Sequence, residues 1–222
     1  LRHGDRSVVE GNFFLGEDEK STGGVRVIGE GHRIWNNYFC DLTGSGARAA
    51  LSIHNGVPNS PVGLYHQVKD LEVAHNTFVN NHQNVLVGYY RGKDGAVLPP
   101  VRTVIANNII WGKSAPLIQL DEKKAEIKYE GNIFFGAKTG LPTSEGVRFI
   151  GPALRKDKLG LYRLRVDSVA RAKAKGSYPK ITRDMDGQKR PREKDIGADQ
   201  YSSEPIALKP LTTNEVGPAW KR

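Results

Sequence analysis

Cationic side chains recur in or beside short apolar runs over the first 91 residues. They are Arg2, His3, Arg26, His32, Arg33, Arg48 and Arg91. In a β-strand every second side chain points to the same face, and matching positions on neighbouring strands lie about 5 Å apart. A guanidinium group can hold a carboxylate through two parallel hydrogen bonds. If the runs are neighbouring strands, these residues predict a groove that binds a chain of carboxylate groups.

Aromatic residues in the same part of the chain extend this hypothesis. Tyr65, Tyr89, Tyr90 and Trp111 could offer flat faces to sugar rings, so the set suits a polymer of carboxylate-bearing sugars. Each of these cations and rings, taken alone, has an equally good structural or solvent-exposed interpretation. The hypothesis therefore rests on the whole set.

An asparagine followed by bulky apolar residues recurs along the chain and indicates how such a groove would be built. It occurs in VVEGNFF, RIWNNYF, LEVAHNTF, TVIANNII and IKYEGNIFF, at Asn12, Asn37, Asn76, Asn108 and Asn132. Repetition of this kind indicates stacked units, and β-branched and aromatic runs between glycines favour strands. An asparagine at an interior bend can bond the backbone of the coils on either side. We therefore predict an all-β parallel β-helix with two or three strands per coil.

The composition agrees with this fold and limits the classes of partner that we expect. The 222 residues include 25 glycines and 12 prolines, and no apolar run approaches the roughly 20 residues that a transmembrane helix needs. Residues 155–192 hold 13 Lys/Arg and 4 Asp/Glu, an excess that equals the whole net charge of +9. This segment lacks a recognition helix or an aromatic-rich sheet, so we interpret it as a solvated extension and expect neither nucleic acid nor membrane as a partner.

Longer segments resemble a known family. LRHGDRSVVEGNFFLG, GGVRVIGEGHRIWNNYFCDLTG, AALSIHNG, HNTF, IANNIIWG, MDGQKRPREKDIGADQ and LTTNEVGPAW resemble the polysaccharide lyases that include alginate lyases and chondroitinase B. Members of this family are right-handed parallel β-helices. The resemblance covers nearly the whole chain and is closer to the alginate lyases.

The resemblance implies β-elimination on a polymer of uronic acids. In such a reaction the sugar carboxylate is neutralised, a base removes the C5 proton, and an acid protonates the departing glycosidic oxygen. The arginine of LRHG, Arg2, matches the acid of the family, and His3 matches a position that contacts substrate. Weaker candidates for binding neighbouring sugars are Arg26, His32, Arg48 and Tyr65.

The same resemblance implies that part of the active site lies outside this sequence. The base of the family is a lysine about one coil before the arginine, and calcium is often held by acidic and amide side chains further upstream. No lysine precedes Arg2. We therefore expect the C-terminal part of a longer β-helix, with calcium ligands outside this chain and the missing N-terminal part as a partner. Glu17, Asp18 and Glu19 lack the spacing of a calcium loop and predict an exposed turn.

These inferences define the expected organisation and activity. Residues 1–150 should form the β-helix coils and residues 151–222 a C-terminal cap packed on the helix. The expected protein is an alginate lyase, in the bacterial periplasm or secreted. The alternatives are a lyase acting on dermatan sulfate, and a β-helix that binds an anionic polysaccharide without cleaving it. The sequence upstream of Leu1 discriminates an enzyme from a binding module, because a lysine one coil back and a cluster of acids before it would favour the enzyme.

Overall fold

The computed structural model describes residues 1–2, 4–17 and 19–216, and its regular structure is almost entirely β-strand. The helical elements of this described part are three 3₁₀ turns, Gly46–Arg48, Lys93–Gly95 and Thr213–Glu215. No helix there is long and apolar enough to cross a membrane. The strands, numbered along the chain, are β1 (Val8–Glu10), β2 (Phe13–Leu15), β3 (Val25–Val27), β4 (Arg33–Trp35), β5 (Tyr38–Cys40), β6 (Leu51–His54), β7 (Glu72–Ala74), β8 (Thr77–Val79), β9 (Val85–Tyr89), β10 (Thr103–Ala106), β11 (Ile109–Gly112), β12 (Ile118–Leu120), β13 (Ile127–Glu130), β14 (Asn132–Gly136), β15 (Val147–Phe149), β16 (Leu154–Lys156) and β17 (Tyr162–Leu164).

Three parallel sheets form the body of the molecule. Sheet 1 contains β1, β4, β7, β10 and β13, and sheet 2 contains β2, β5, β8, β11, β14 and β15. Sheet 3 contains β3, β6, β9 and β12. From β1 to β14, successive strands pass from sheet 1 to sheet 2 to sheet 3, and each strand pairs in parallel with its counterpart one coil away. This is a parallel β-helix with three strands per coil, as the sequence predicts.

Matching side chains stack on one another inside the helix because the strands are in register. Phe14, Phe39 and Phe78 form one interior column of sheet 2, with ring centroids 4.7 and 4.6 Å apart and rings within 3° of parallel. Ile110 and Phe134 continue this column. Such aromatic pairs contribute about 0.5–1.5 kcal/mol each beyond the apolar area they bury.

The repeated asparagines form a ladder at the corner between sheets 1 and 2, confirming the prediction. Asn37 donates its backbone N–H and its side-chain amide to the Oδ1 atom of Asn76, over 2.9 and 3.1 Å. Asn76 donates in the same way to Asn108, over 2.9 and 3.0 Å. The remaining amide hydrogens reach strand carbonyls, as in the bond from Asn76 to the oxygen of Ile34. The ladder therefore satisfies backbone groups that a buried corner would otherwise leave unpaired.

A left-handed residue precedes every asparagine of the ladder and makes the corner tight. These residues are Gly11, Asn36, His75, Asn107 and Gly131, with φ between 50 and 67°. Glycine adopts this conformation without steric cost, whereas the other residue types incur about 1–2 kcal/mol. The side chains of Asn36, His75 and Asn107 point outward from the corner and bond the C-terminal part of the chain.

The C-terminal extension, residues 151–216, runs along the outer face of sheet 2. Its Leu161, Met185 and Ala198 pack against Tyr38 and Cys40, and the apolar cluster continues to the first coil. The antiparallel hairpin of β16 and β17 belongs to this extension. The extension thus lies along the side of the coils, and the division of the chain at residue 150 stays a prediction.

Two arginines of the basic segment are internal to this packing rather than solvated. Arg190 is buried and donates to the Oδ1 atom of Asn36 over 2.9 Å and to the carbonyl oxygen of Gly197 over 2.7 Å. Arg163 binds three aspartates within the extension. Our interpretation of the whole segment as solvated was therefore wrong for these two residues, which fix the extension to the corner and to itself.

We expect Asn76→Leu to lower the free energy of unfolding by about 3 kcal/mol or more, because the substitution leaves buried donors and acceptors on both neighbouring coils without partners. Asn12→Leu, made in the same 222-residue chain, is the matched control, since Asn12 is exposed there and the substitution should cost about 1 kcal/mol or less. Urea unfolding followed by circular dichroism would measure both. Equal destabilisation of the two variants would contradict the structural role of the ladder.

Candidate active site

Arg2 stands at the end of sheet 3. The backbone N–H of Ile28 donates to the carbonyl oxygen of Leu1 over 2.9 Å, so Leu1 lies alongside β3 and Arg2 follows it. The guanidinium carbon of Arg2 is 5.0 Å from the centroid of the Tyr65 ring, a distance that allows a cation–π interaction. Its Nε atom is buried and has no hydrogen-bond partner in the described part of the chain. Among the described residues, the Nε–H of Arg2 is therefore an unused donor.

Four aromatic rings gather beside Arg2. The ring of Tyr65 lies parallel to that of His54 at 5.9 Å and stacks on that of Tyr90 at 5.1 Å. Tyr89 meets His54 edge-on at 4.8 Å. His54 ends β6 and is paired with Tyr89 of β9 across an irregularity in the strand register. The end of sheet 3 thus combines one guanidinium with a surface of aromatic rings.

His54 is the residue of this cluster that the sequence analysis did not single out. It is 1% exposed, and neither ring nitrogen has a hydrogen-bond partner among the described residues. Burial, reinforced by the positive charges of Arg26 and Arg2, lowers the pKa of His54 to about 3. The imidazole is therefore neutral near pH 7, with one donor and one acceptor available. The one signal in the sequence was its place at the end of the run AALSIH.

Two further predicted residues lie in the same region. Arg26 is half-buried on the outward row of sheet 3, in register with Ser52, and its charge acts on His54. Arg48 is exposed and ends the 3₁₀ turn that begins at Gly46. That turn packs closely on Tyr89, because a Cβ atom on Gly46 would lie 2.9 Å from the Tyr89 ring. His3 lies outside the described residues.

Other residues from the sequence analysis lie elsewhere. His32 is buried in the turn between sheets 3 and 1, where Nδ1 accepts from Ser7 N over 3.2 Å and Nε2 bonds the oxygen of Ile28 over 2.9 Å. With both nitrogens engaged, His32 holds the turn and has no atom left for a sugar. Arg33 bonds backbone carbonyls, among them that of Asp70. Trp111 packs edge-on against Tyr162 on sheet 2, beneath the extension.

Arg2 also lines a cleft of about 490 Å³. Its lining carries mixed charge, with Asp5 and Glu30 facing His66 and Lys69. A more voluminous cleft, about 720 Å³, lies between Leu120, Tyr129 and Leu141 and includes none of the residues grouped around Arg2. We place the candidate site at Arg2, because the unused donors and the aromatic surface meet there.

Comparison with known proteins identifies the family. The Chondroitinase B family model matches residues 1–150, about two thirds of the chain. The chain belongs to this family. It is the polysaccharide lyase family of the alginate lyases and chondroitinase B. No curated protein was found to match the chain.

Two solved structures of one family member resemble the chain. A mutant of the PL6 family alginate lyase AlyGC has a TM-score of 0.73 and 26% identity, covering 99% of this chain and 26% of that chain. A second structure of AlyGC has a TM-score of 0.66 and 25% identity, covering 95% of this chain and 27% of that chain. The chain therefore spans about a quarter of the length of this enzyme.

Three buried carboxylates in the extension of this chain lie close enough together to be tested as a cation site. Oxygen atoms of Asp184, Asp186 and Asp199 lie within 4.8 Å of one another. The guanidinium of Arg163 already contacts two of the three, donating to Asp186 and, over 3.4 Å, to Asp199. Asp184 accepts three backbone N–H groups, and Asp199 accepts that of Leu164. The cluster does not fit a calcium ion, since Arg163 supplies the positive charge and the N–H groups occupy most oxygens.

One oxygen of this cluster lacks a partner among the described residues, and burial makes two of the carboxyl groups weaker acids than usual. The Oδ1 atom of Asp186 is buried without a hydrogen bond from any described residue. Burial raises the pKa of Asp186 to about 7 and that of Asp199 to about 6, although Arg163 acts in the opposite direction. Asp157 shares the same guanidinium, but hydrogen bonds from Arg163 and backbone N–H groups outweigh burial and lower its pKa.

We expect the ring signals of His54 to stay constant between pH 5 and pH 8, because burial and two nearby guanidinium groups keep the imidazole neutral. Proton–carbon NMR of the histidine rings would measure this, with a His54→Gln variant to assign the signal. A titration midpoint within that range would show that the ring is hydrated or paired with an acid.

We expect Asp186→Asn to change how stability depends on pH between about 4 and about 7. The folded pKa of Asp186 lies above its unfolded value of about 3.9, so its contribution to stability is largest below pH 4 and falls as the pH rises to 7. The difference in unfolding free energy between the native protein and the variant should shrink over that range.

Asp157→Asn is the matched control, since Asp157 contacts the same arginine and its pKa is lowered. Its stabilising contribution should grow as the pH rises through about 4. Urea unfolding at a series of pH values would measure both variants. Parallel pH profiles for the two would contradict the assignment.

Proposed function

We propose that the full-length protein is a lyase that cleaves alginate by β-elimination, with Arg2 at the departing glycosidic oxygen. The observation that carries this proposal is the cluster of Arg2, Arg26, His54, Tyr65 and Tyr90 at one end of sheet 3, in a chain matched by the family over residues 1–150. The cluster offers positive charge, neutral hydrogen-bonding groups and flat rings. An acidic sugar needs these three properties from its binding site.

Arg2 supports the step in which the glycosidic bond breaks. Negative charge develops on the departing oxygen, and a guanidinium fixed close to that oxygen stabilises it. Free arginine is a very weak acid, so the contribution of Arg2 is chiefly electrostatic while it relays a proton from water to the departing oxygen. The stack on Tyr65 fixes the position of the guanidinium before substrate arrives.

The neighbouring groups suit the binding of the sugars on either side. Arg26 can pair with a carboxylate, and the rings of Tyr65 and Tyr90 are partly exposed and can contact sugars. The neutral imidazole of His54 is buried against the rings of Tyr65 and Tyr89 and supports them from within the cluster. Arg48, exposed on the turn against Tyr89, would contact a more distant part of the polymer.

The rest of the catalytic machinery is proposed to come from outside this chain. The expected lysine base and the acidic and amide ligands for calcium would precede Leu1, and the carboxylate cluster of the extension does not replace them. Calcium, when bound by such ligands, would neutralise the sugar carboxylate. The proposed substrate also favours a periplasmic or extracellular location.

Two other functions are consistent with the same cluster. The Chondroitinase B match favours a uronate polymer of the dermatan sulfate type as the second candidate substrate. A β-helix that binds an anionic polysaccharide without cleaving it would also use the guanidinium groups and rings. The alginate proposal is preferred because two AlyGC structures, described as an alginate lyase, resemble the chain over 95% or more of its length.

The test is the ultraviolet absorbance of the unsaturated uronide product, measured with the full-length protein on alginate and on dermatan sulfate. We expect activity on alginate that falls at least about 100-fold in Arg2→Ala, because a fixed charge at the developing oxyanion is lost. Arg155→Ala is the matched control, since Arg155 is exposed on β16 of the extension and should leave the rate unchanged.

The outcomes separate the three candidates. Activity on dermatan sulfate alone would overturn the proposed substrate and keep the mechanism. Binding of either polymer without any absorbance change would place the protein in the non-catalytic class. Equal activity of Arg2→Ala and the native protein would remove Arg2 from the reaction.

A further inference from the structure

Glu122 is a buried carboxylate at the corner where the chain leaves sheet 3. Only 5% of its side chain is exposed. Its Oε2 atom accepts hydrogen bonds from the Asn55 side chain over 2.9 Å and from Arg91 Nε over 3.1 Å, and Oε1 accepts from the backbone of Lys124 over 2.9 Å. Burial would raise the pKa of Glu122, but these hydrogen bonds and the charge of Arg91 lower it instead. One ionised carboxylate thus joins the ends of three successive strands, β6, β9 and β12.

A glycine makes this arrangement possible. Gly88 has a φ of 88°, and a Cβ atom at this position would lie 2.3 Å from the Cβ of Glu122. Any other residue would force the end of β9 away from the carboxylate. Gly88, Tyr89, Tyr90 and Arg91 therefore form a segment whose backbone is shaped to place the Arg91 side chain on Glu122.

One edge of the Arg91 guanidinium binds Glu122, and the other edge contacts no acceptor among the described residues. Its side chain is 59% exposed, and Nε is the atom bound to Glu122. Within the described part of the chain, Nη1 and Nη2 have no hydrogen-bond partner. A guanidinium fixed in this way retains donors for a second acid, and little conformational freedom is lost when they are used.

The position of Arg91 relates it to the candidate active site. Arg91 follows Tyr90, whose ring stacks on Tyr65, and Tyr65 in turn lies beneath Arg2. Leu1, β3, β6 and β9 occupy successive positions across sheet 3, so Arg91 lies about three strand spacings, roughly 14 Å, from Arg2 along the helix. That distance exceeds the reach of one sugar ring.

We propose that Arg91 binds a carboxylate of the acidic polysaccharide at a sugar distant from the one at Arg2, and that Glu122 is the positioning residue that fixes Arg91 for this contact. This inference rests on the proposed function, because it takes an acidic polysaccharide to lie along the end of sheet 3. Glu122 touches no substrate and acts through Arg91.

The inference is tested by binding of alginate oligosaccharides to the full-length protein carrying Arg2→Ala, which keeps the oligosaccharides intact. Isothermal titration calorimetry would compare a short and a long oligosaccharide. Adding Arg91→Ala should weaken the long ligand about 10-fold, the loss of one charge-assisted pair, and leave the short ligand unchanged. Arg102→Ala is the matched control, because Arg102 is 58% exposed and paired with Asp70, away from the cluster.

Glu122→Gln distinguishes positioning from a general effect on the fold. The amide keeps the shape of the side chain and removes its charge, so the long ligand should again bind more weakly. In the Arg91→Ala background the same substitution should have no further effect on binding, as expected for two residues that act through one contact. Additive losses would overturn the role of Glu122.

The results for the parent and for the variants separate this inference from the proposed function. If the parent binds long alginate oligosaccharides and Arg91→Ala binds them equally well, the inference alone is overturned. Equal weakening of short and long ligands also overturns it. If neither alginate nor dermatan sulfate oligosaccharides bind the parent, the proposed function and this inference fail together.

Discussion

The corner between sheets 1 and 2 is the constraint on which the rest of this molecule depends. Each coil must turn there in two residues, one in the left-handed conformation and one asparagine, without leaving buried backbone groups unpaired. The ladder fixes the register of the coils on both sides of the corner. Stacked phenylalanines in sheet 2 and the alignment of Arg26 with Ser52 in sheet 3 follow from that register.

Arginine side chains have different surroundings on the two sides of the helix. Along sheet 2, the extension encloses Arg163 among aspartates and Arg190 among carbonyl and amide oxygens, so both guanidinium groups are bound within the protein. At the end of sheet 3, a tyrosine ring holds Arg2 and one carboxylate holds Arg91, and both guanidinium groups retain donors that no described residue uses. Most of the net charge of the sequence lies on the first side, whereas the proposed binding site lies on the second. Net charge is therefore a poor indicator of the site in this protein.

The sequence was sufficient to predict features that repeat in every coil. It was not sufficient where the position of a side chain depends on one contact. The asparagine ladder was predictable because each coil needs the same bonds at the same place. His32 and Trp111 were expected near the sugar, yet the alternation of strand residues does not tell which side of a turn or which sheet a side chain will face. His54 and Glu122 belong to no motif, and their significance comes from contacts made across coils, between residues up to 67 positions apart. The path of the extension was also beyond prediction, since residues 151–216 carry no periodic signal.

The three corners of the coil differ in how much chain they tolerate. The corner with the asparagines keeps two residues or fewer in every coil, whereas residues 55–71 and 90–102 are long connections that both leave sheet 3 for sheet 1. These two insertions account for the longer repeats, and they carry Tyr65, Tyr90 and Arg91. Loop length can therefore vary at the corner between sheets 3 and 1, while the corner between sheets 1 and 2 preserves the stacking of the coils. These long connections border the proposed binding site, so a change in their length would reshape that site without disturbing the asparagine ladder.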